Sequence, residues 1–158
     1  MIKTLDRYEK IILGATIVGL ILGIVAIAFS VVEAGIHLPT IEGRIDPAEV
    51  RDTPPFDNPG VFDNGDGTYD AVIIAQTWLW EPDVIEVPAG STVHFEMTSI
   101  DVLHGIHIWD TSINAMIIPG QITRVSQTFN QPGEYGVVCH EYCGIGHHQM
   151  FGRVVVTP

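Results

Sequence analysis

The chain has no lysine after Lys10, and positive charge is scarce throughout: 7 lysines and arginines face 19 aspartates and glutamates in 158 residues. The first ten residues hold three of those cations and two of those acids, so the remainder holds 4 cations and 17 acids, a net charge of −13. Such a surface repels phosphates, which excludes nucleic acid as a partner. The acidic excess fits either steering of a basic protein partner or a lysine-free surface suited to high salt.

Helical periodicity, internal repeats and low-complexity tracts are all missing beyond residue 70. Short β-rich runs alternate there with Gly/Pro turns, and residues 92–98 alternate apolar and polar side chains, which places His94 on an exposed strand face. Many short strands at this spacing predict an all-β sandwich or barrel over residues 71–158. The predicted strands are 71–78, 84–87, 92–98, 113–118, 122–129, 136–139 and 151–157.

Residues 33–70 lack a clear period of either kind and contain five prolines, followed by D-N-G-D-G at 63–67. This composition predicts an irregular linker that ends in a tight turn. The D-N-G-D-G run has calcium-binding residue types, but its spacing does not match an EF-hand loop, so we expect a turn there.

Charge is also absent from residues 11–32, which are almost entirely apolar. At ~1.5 Å per residue this run spans the ~30 Å hydrocarbon core of a bilayer, which predicts one transmembrane helix. The run exceeds the ~7–15 apolar residues of a cleaved signal peptide, and no clear A-x-A site follows it. Lys3, Arg7 and Lys10 precede the run and no cation follows before Arg44, so the positive-inside rule places residues 1–10 in the cytoplasm and the β domain outside.

Cysteine is nearly absent, and both cysteines fall in one stretch, C-H-E-Y-C-G-I-G-H-H-Q-M at residues 139–150. Thiols, imidazoles and a thioether at such density predict a soft, redox-active metal, with copper first, and hence electron transfer. The predicted strands on either side hold this loop at one end of the sandwich. Gly144 and Gly146 let its backbone turn sharply.

The number of thiols distinguishes two kinds of copper site. One mononuclear copper needs one Cys, two His and a weak Met, so this loop has one thiolate too many. Two thiolates can instead bridge two copper ions, each with one terminal imidazole. His147 supplies one imidazole, and His104 or His107 supplies the other. The Met150 thioether and a backbone carbonyl near Glu141 suit the weak positions.

Three other uses of the cysteines compete with copper. A Cys139–Cys143 disulfide would close a very short loop in an oxidising compartment. A structural zinc site would use two Cys and two His but has little use for a thioether. A c-type haem needs C-x-x-C-H, and this spacing is not present.

The pattern C-x-E-x-C-x-x-x-H-x-x-M, with D-V-L-H at 101–104 and P-G at 119–120, resembles the binuclear copper (CuA) signature of cytochrome c oxidase subunit II. The order of an anchor followed by a β domain is similar too, and the resemblance covers nearly the whole chain. It implies a cupredoxin-like Greek-key fold for the β domain. It also implies that the helix anchors the protein in the plasma membrane of a prokaryote. It also implies that the domain takes electrons from cytochrome c or a small blue-copper protein and passes them to haem in oxidase subunit I, where oxygen is reduced.

The resemblance assigns a role to each matched residue of the metal site. It implies that Cys139 and Cys143 are the bridging thiolates and that His104 and His147 are the terminal imidazoles. It also implies that Met150 is a weak thioether ligand and that Glu141 provides a backbone carbonyl ligand. The three histidines that fall on no ligand position are His107, His140 and His148.

Finer features resemble the B-type haem-copper oxidases, which have a single helix in this subunit and a similar C-G-I-G-H-H-Q-M-F-G segment. B-type members carry Gln where this chain has Glu141, and in the A-type the Glu side chain also helps to hold magnesium, so magnesium at Glu141 stays open. Trp78 lies where the family places an aromatic that receives electrons, with Trp80 as a weaker candidate and a plain rim aromatic as the alternative. Glu9 resembles a B-type position at the mouth of a proton path, or is an ordinary interfacial charge.

Other whole-protein functions are compatible with the same residues. The chain is either the electron-accepting subunit of a terminal oxidase or a free-standing, membrane-anchored copper protein that transfers electrons. A fragment of nitrous oxide reductase would need a large catalytic domain that this sequence does not contain. A purely structural zinc or disulfide domain is the remaining alternative.

Overall fold

The computed structural model describes residues 6–33 and 40–158, which separate into an N-terminal helix and a β domain. Residues 1–5 of the expected cytoplasmic segment and 34–39 of the expected linker lie outside the described residues. Helix α1, Arg7–Glu33, has 27 residues and buries none of them. Its length of ~40 Å exceeds the ~30 Å hydrocarbon core. In the described residues it is the one helix that is long and apolar enough to cross a membrane.

Helix α1 starts earlier than the uncharged run because a capping box extends it. The Asp6 carboxylate accepts a hydrogen bond from the backbone N–H of Glu9 at 2.8 Å, and the Glu9 carboxylate accepts one from the N–H of Asp6 at 2.8 Å. This reciprocal pair satisfies two N–H groups at the helix start. The helix therefore begins at Arg7 rather than residue 11, and it ends at Glu33 rather than residue 32.

The β domain contains strands in two sheets. The strands are β1 Thr40–Arg44, β2 Gly60–Asp63, β3 Thr68–Gln76, β4 Leu79–Glu81, β5 Val84–Pro88, β6 Ser91–Ser99, β7 His104–Ile108, β8 Asn114–Ile117, β9 Gln121–Phe129, β10 Gly133–Cys139 and β11 Phe151–Thr157.

The first sheet has the order β1-β9-β6-β3-β2, with β4 paired to β3, and the second has the order β5-β11-β10-β7-β8. The β3–β6 and β5–β11 pairs are parallel, and the other pairs are antiparallel. The predicted cupredoxin-like β sandwich with one N-terminal apolar helix is thus confirmed.

The main core lies between the two sheets. Alternate residues of β6 point inward, and Val93, Phe95 and Met97 are fully buried. Phe95 packs edge-on against Phe129 of β9, with ring centroids 6.4 Å apart. His94 lies on the exposed face, as the alternation predicts, and its Nδ1 is 2.7 Å from the Ser126 hydroxyl oxygen. Burial on one face of each strand fixes the register, and the register positions the cysteine-rich loop, residues 139–150.

The expectation of an irregular linker over residues 33–70 is wrong for residues 40–70. Strand β1 pairs with β9, and β2 pairs with β3, so the domain includes this segment rather than starting at residue 71. Val50 and Phe56 are fully buried against Val72 and Ile74 on the outer face of β3. Four of the five prolines that suggested a linker lie in the connection between β1 and β2, which covers this sheet face, and Pro39 lies outside the described residues.

The D-N-G-D-G run forms the predicted turn between β2 and β3. The Asp63 carboxylate accepts from the N–H of Gly65 at 2.7 Å, and the Asp66 carboxylate accepts from the N–H of Thr68 at 3.0 Å. Gly65 and Gly67 both have positive φ, which only glycine adopts without strain. The carboxylates are therefore used to close the turn.

Candidate metal centre

The cysteine-rich loop joins two neighbouring antiparallel strands of the second sheet. Cys139 is the last residue of β10, and the loop returns through a 3₁₀ turn, His147–Gln149, to β11. Gly144 has φ = 116°, a conformation that favours glycine. On the other side, β7 pairs with β10 so that Cys139 lies opposite Ile106, which brings the start of β7 to the same end of the sandwich.

Five side chains from two parts of the chain meet at this end. The sulfur atoms of Cys139 and Cys143 are 3.9 Å apart. His104 Nδ1 lies 3.8 Å from the Cys139 sulfur, and His147 Nδ1 lies 3.5 Å from the Cys143 sulfur. The Met150 sulfur lies 3.7 Å from the Cys143 sulfur. The structure thus brings together every side chain that the sequence predicts as a ligand.

Glu141 directs its backbone carbonyl, and not its carboxylate, toward the cluster. Its carbonyl oxygen lies 3.2 Å from the Cys139 sulfur, at the edge of the cluster. The side-chain carboxylate is part exposed and lies 3.6 Å from Nδ1 of His140. This arrangement matches the expected carbonyl ligand and leaves the carboxylate free for another contact.

The donor cluster is shielded from water. His104 is completely buried, Met150 is 1 % exposed and Cys143 is 2 % exposed. Both cysteines are free thiols in the structure, so the two sulfurs are available as metal ligands. A group of two thiols, two imidazoles and a thioether, buried except for the half-buried His147, suits copper, because soft sulfur ligands select soft metals and imidazole binds copper well.

The two thiols differ in acidity. Burial by itself raises the pKa of Cys139, but hydrogen bonds from His104 and from backbone groups at Gly105 and Glu141 outweigh burial and lower that pKa to about 6. Burial raises the pKa of Cys143 to about 11, and the negative charge of Cys139 adds to this rise. One thiolate therefore forms readily at neutral pH, and a cation is needed to hold the second thiol as a thiolate.

Asp101 orients His104, and the sequence reasoning gave it no role. Its carboxylate lies 2.9 Å from His104 Nε2 and also accepts the N–H of Thr77 at 2.6 Å. A carboxylate accepts, so Nε2 carries a proton, and Nδ1 is the ring nitrogen that faces the Cys139 sulfur. Burial opposes ionisation of Asp101, but the hydrogen bonds from His104 and Thr77 lower its pKa. The sequence feature that could have identified Asp101 is its position three residues before the predicted ligand His104.

Trp78 covers the cysteine-rich loop at the surface. Its indole N–H donates to the carbonyl oxygen of Cys143 at 3.2 Å, and the residue is 43 % exposed. A Cβ at Gly146 would lie 2.7 Å from Trp78 Cγ, so glycine at this position lets the indole pack closely on the loop. Trp80, by contrast, is buried in the core with its ring 6.3 Å from the His104 ring.

The remaining candidate histidines are not among the donors that meet at this end of the sandwich. His107 and His140 lie on the outer face of the second sheet, and His148 is exposed in the 3₁₀ turn. Glu9 belongs to helix α1, where its carboxylate caps the first turn.

Known proteins match this chain over most of its length. The family model for cytochrome c oxidase subunit II, periplasmic domain, matches residues 69–157. A cytochrome c oxidase subunit 2 from Thermus thermophilus is 37% identical over 158 residues, covering 98% of this chain and 94% of the relative. Another subunit 2 from the same species is 42% identical over 115 residues, covering 72% of this chain and 85% of that relative.

Two solved structures that are similar to this chain also come from terminal oxidases. A chain from the cryo-EM structure of a haem-copper terminal oxidase dimer matches with a TM-score of 0.78 and 35% identity, covering 95% of this chain and 99% of that one. The periplasmic domain of cytochrome oxidase subunit II from Bradyrhizobium japonicum matches with a TM-score of 0.52 and 17% identity, covering 56% and 83%. At that identity the second match shows the fold alone.

The fold and the buried donor cluster define a membrane-anchored, cupredoxin-like metalloprotein. The chain belongs to the cytochrome c oxidase subunit II family, as the motif indicated. It is a subunit of a haem-copper terminal oxidase, and electrons enter that complex through it.

Proposed function

We propose that the β domain holds a binuclear copper centre. Cys139 and Cys143 bridge the two ions, His104 and His147 are the terminal ligands, and the weak ligands are the Met150 thioether and the Glu141 carbonyl. The observation that carries this proposal is the meeting of two free, buried thiols with these donors, each within 3.9 Å of a cysteine sulfur. When bound, a copper pair that shares one electron changes geometry little on reduction, which makes electron transfer fast.

Strand pairing and a carboxylate contact hold these ligands in place. Two hydrogen-bonded strands fix Cys139 and the residue after Met150, and Asp101 fixes the ring of His104. The buried setting excludes water from the sulfur atoms. Rigid, preorganised ligands limit the reorganisation that accompanies electron transfer, which is the property that an electron-accepting subunit needs.

A zinc site is the strongest competing use of the same residues. Zinc would be satisfied by the two thiolates and two imidazoles in a tetrahedron. The buried Met150 thioether, 3.7 Å from Cys143, then has no function as a ligand. Copper uses this donor, so the observation favours copper.

The first test is removal of one bridging sulfur. We expect Cys139→Ser or Cys143→Ser to abolish the copper pair, because the chain has no further thiol to replace the lost one. Metal analysis of the purified full chain measures copper per chain. A serine variant that still binds two coppers per chain would refute the bridging assignment.

We propose that electrons enter through Trp78, from cytochrome c or a small blue-copper protein. Trp78 and its neighbour Leu79 are 43 % and 46 % exposed, so a donor can contact them. The indole N–H to Cys143 carbonyl hydrogen bond gives a short bonded route from that surface to a ligand residue. The exposed loop residues Tyr142 and Ile145 add an apolar surface that suits burial against oxidase subunit I, the proposed electron acceptor.

For the orientation, we propose that residues 1–10 face the cytoplasm of a prokaryote and that the β domain lies on the outer face of the plasma membrane. Arg7 and Lys10 lie at the start of α1, and its last turn has no basic residue. This asymmetry supports the assignment through the positive-inside rule.

We propose that Glu9 lies at the mouth of a proton path into the oxidase. Its capping contact with Asp6 is the competing role. Glu9→Gln keeps a side-chain carbonyl that can accept the Asp6 N–H but removes the ionisable group. We expect slower proton uptake by the assembled oxidase with an unchanged amount of folded subunit. Proton uptake at the normal rate would leave Glu9 with a capping role only.

A further inference from the structure

The outer face of the second sheet has a notch at Gly105, and the imidazole of His140 fills it. A Cβ at Gly105 would lie 2.5 Å from Nδ1 and 2.7 Å from Nε2 of that ring. The backbone N–H of His140 also donates to the carbonyl of Gly105 at 3.0 Å. The side chain of His140 is 27 % exposed. The ring is therefore held against the sheet with one side open to solvent.

Two further side chains with metal-binding atoms share this face. His107 follows Gly105 by two residues on β7, so its side chain lies on the same side, ~6.6 Å along the strand. Met116 lies directly opposite Gly105 on β8, at the ~5 Å spacing of an antiparallel pair. Met116 is 38 % exposed, and His107 is part exposed. Two imidazoles and a thioether thus surround one glycine.

The His107 imidazole is oriented as metal-binding imidazoles usually are. His107 Nδ1 lies 2.9 Å from the carbonyl oxygen of Ile113, which can only accept, so Nδ1 carries the proton and Nε2 keeps its lone pair. His140 Nδ1 lies 3.6 Å from the Glu141 carboxylate, a contact longer than a hydrogen bond, so either nitrogen of this ring can bind a metal. A backbone carbonyl or carboxylate on one ring nitrogen orients the other nitrogen toward a metal.

We propose that His107, His140 and Met116 form a second metal site, at the surface, for a soft monovalent ion of the Cu(I) class. Thioether and imidazole ligands select such an ion, whereas calcium and magnesium require oxygen ligands. The site is separate from the buried donor cluster, because His104 and Ile106 point into the core while Gly105 and His107 face outward. It does not depend on the copper count of the buried centre.

The test uses the full chain in detergent with the buried centre already loaded with copper. Ag(I), a redox-inert probe of Cu(I) sites, is titrated in chloride-free buffer against a competing chelator, and bound silver and copper are counted together. We expect about one Ag(I) per chain with no loss of copper. X-ray absorption at the silver edge should show both nitrogen and sulfur neighbours.

Two variants and one control identify the ligands. We expect His140→Asn and Met116→Leu each to weaken silver binding at least tenfold, because each removes one of three ligands. His148→Asn, which changes an exposed histidine of the neighbouring loop, should bind silver as the natural chain does. An unchanged absorption spectrum of the buried centre shows that each variant is folded. The proposal is wrong if no silver binds in addition to the copper, or if silver only displaces copper. It is also wrong if His140→Asn and Met116→Leu bind silver with the same affinity as the natural chain.

Discussion

At the residue scale, the centre depends on contacts that reach beyond the ligands. Asp101 connects the ring of His104 to the backbone at Thr77, and the next residue, Trp78, packs on the cysteine-rich loop. One carboxylate therefore joins a ligand from β7 to the aromatic cover of the loop that carries the other ligands. Such partners fix the orientation and basicity of metal ligands.

Met150 provides a residue-scale prediction about the reduction potential. We expect Met150→Leu to retain copper and to raise the midpoint potential, because the variant loses a donor that stabilises the more highly charged oxidised state. Potentiometric titration followed by absorption measures the shift. Met116→Leu is the matched control, since Met116 lies on the outer face of the sheet and should leave the potential unchanged. Equal potentials in Met150→Leu and the natural chain would remove Met150 from the ligand set.

At the element scale, the two strands that flank the cysteine-rich loop were predicted, whereas β7, which carries His104, and the segment that covers the other sheet were not. Alternating patterns and turn signals predicted β6 and both strands that flank the cysteine-rich loop. The segment from Thr40 to Gly60 has five residues or fewer in each regular element, and its burial depends on Val50 and Phe56 contacting β3 far along the chain. Local sequence carries no signal for such a contact. The packing of the Trp78 indole on Gly146 could not be predicted either, because these two residues are also far apart in the chain.

Phe56 tests whether residues 40–63 are structural parts of the domain. Phe56 is completely buried, so Phe56→Ala should lower the free energy of unfolding by ~3–5 kcal/mol through lost burial and a cavity. Phe62→Ala, at a phenylalanine that is 38 % exposed, should cost much less. Denaturant unfolding of the two full-length variants gives both values. A similarly small decrease in the free energy of unfolding for both variants would show that this segment is a linker and not part of the folded domain.

At the scale of the whole molecule, two units have separate tasks: an apolar helix that anchors the chain and an acidic sandwich that holds the donor cluster. The net charge of −13 after residue 10 creates a negative field around the sandwich. Such a field accelerates encounter with a basic partner, and salt screens it, with a Debye length of ~10 Å at 0.1 M and ~3 Å at 1 M.

The acidic surface leads to a prediction about donor docking. We expect the bimolecular rate of electron uptake from a donor with a basic surface to fall as the salt concentration rises, because screening weakens long-range attraction. Stopped-flow mixing with the assembled oxidase measures this rate. An acidic donor should show the opposite trend and serves as the control. A flat dependence for both donors would assign the acidic surface to stability in high salt instead of docking.

The most direct test of the central proposal is electron paramagnetic resonance combined with copper analysis on the purified full chain. A sulfur-bridged pair predicts two coppers per chain and a single unpaired electron shared equally by two copper nuclei. One copper per chain, or an unpaired electron confined to one nucleus, would contradict the binuclear centre.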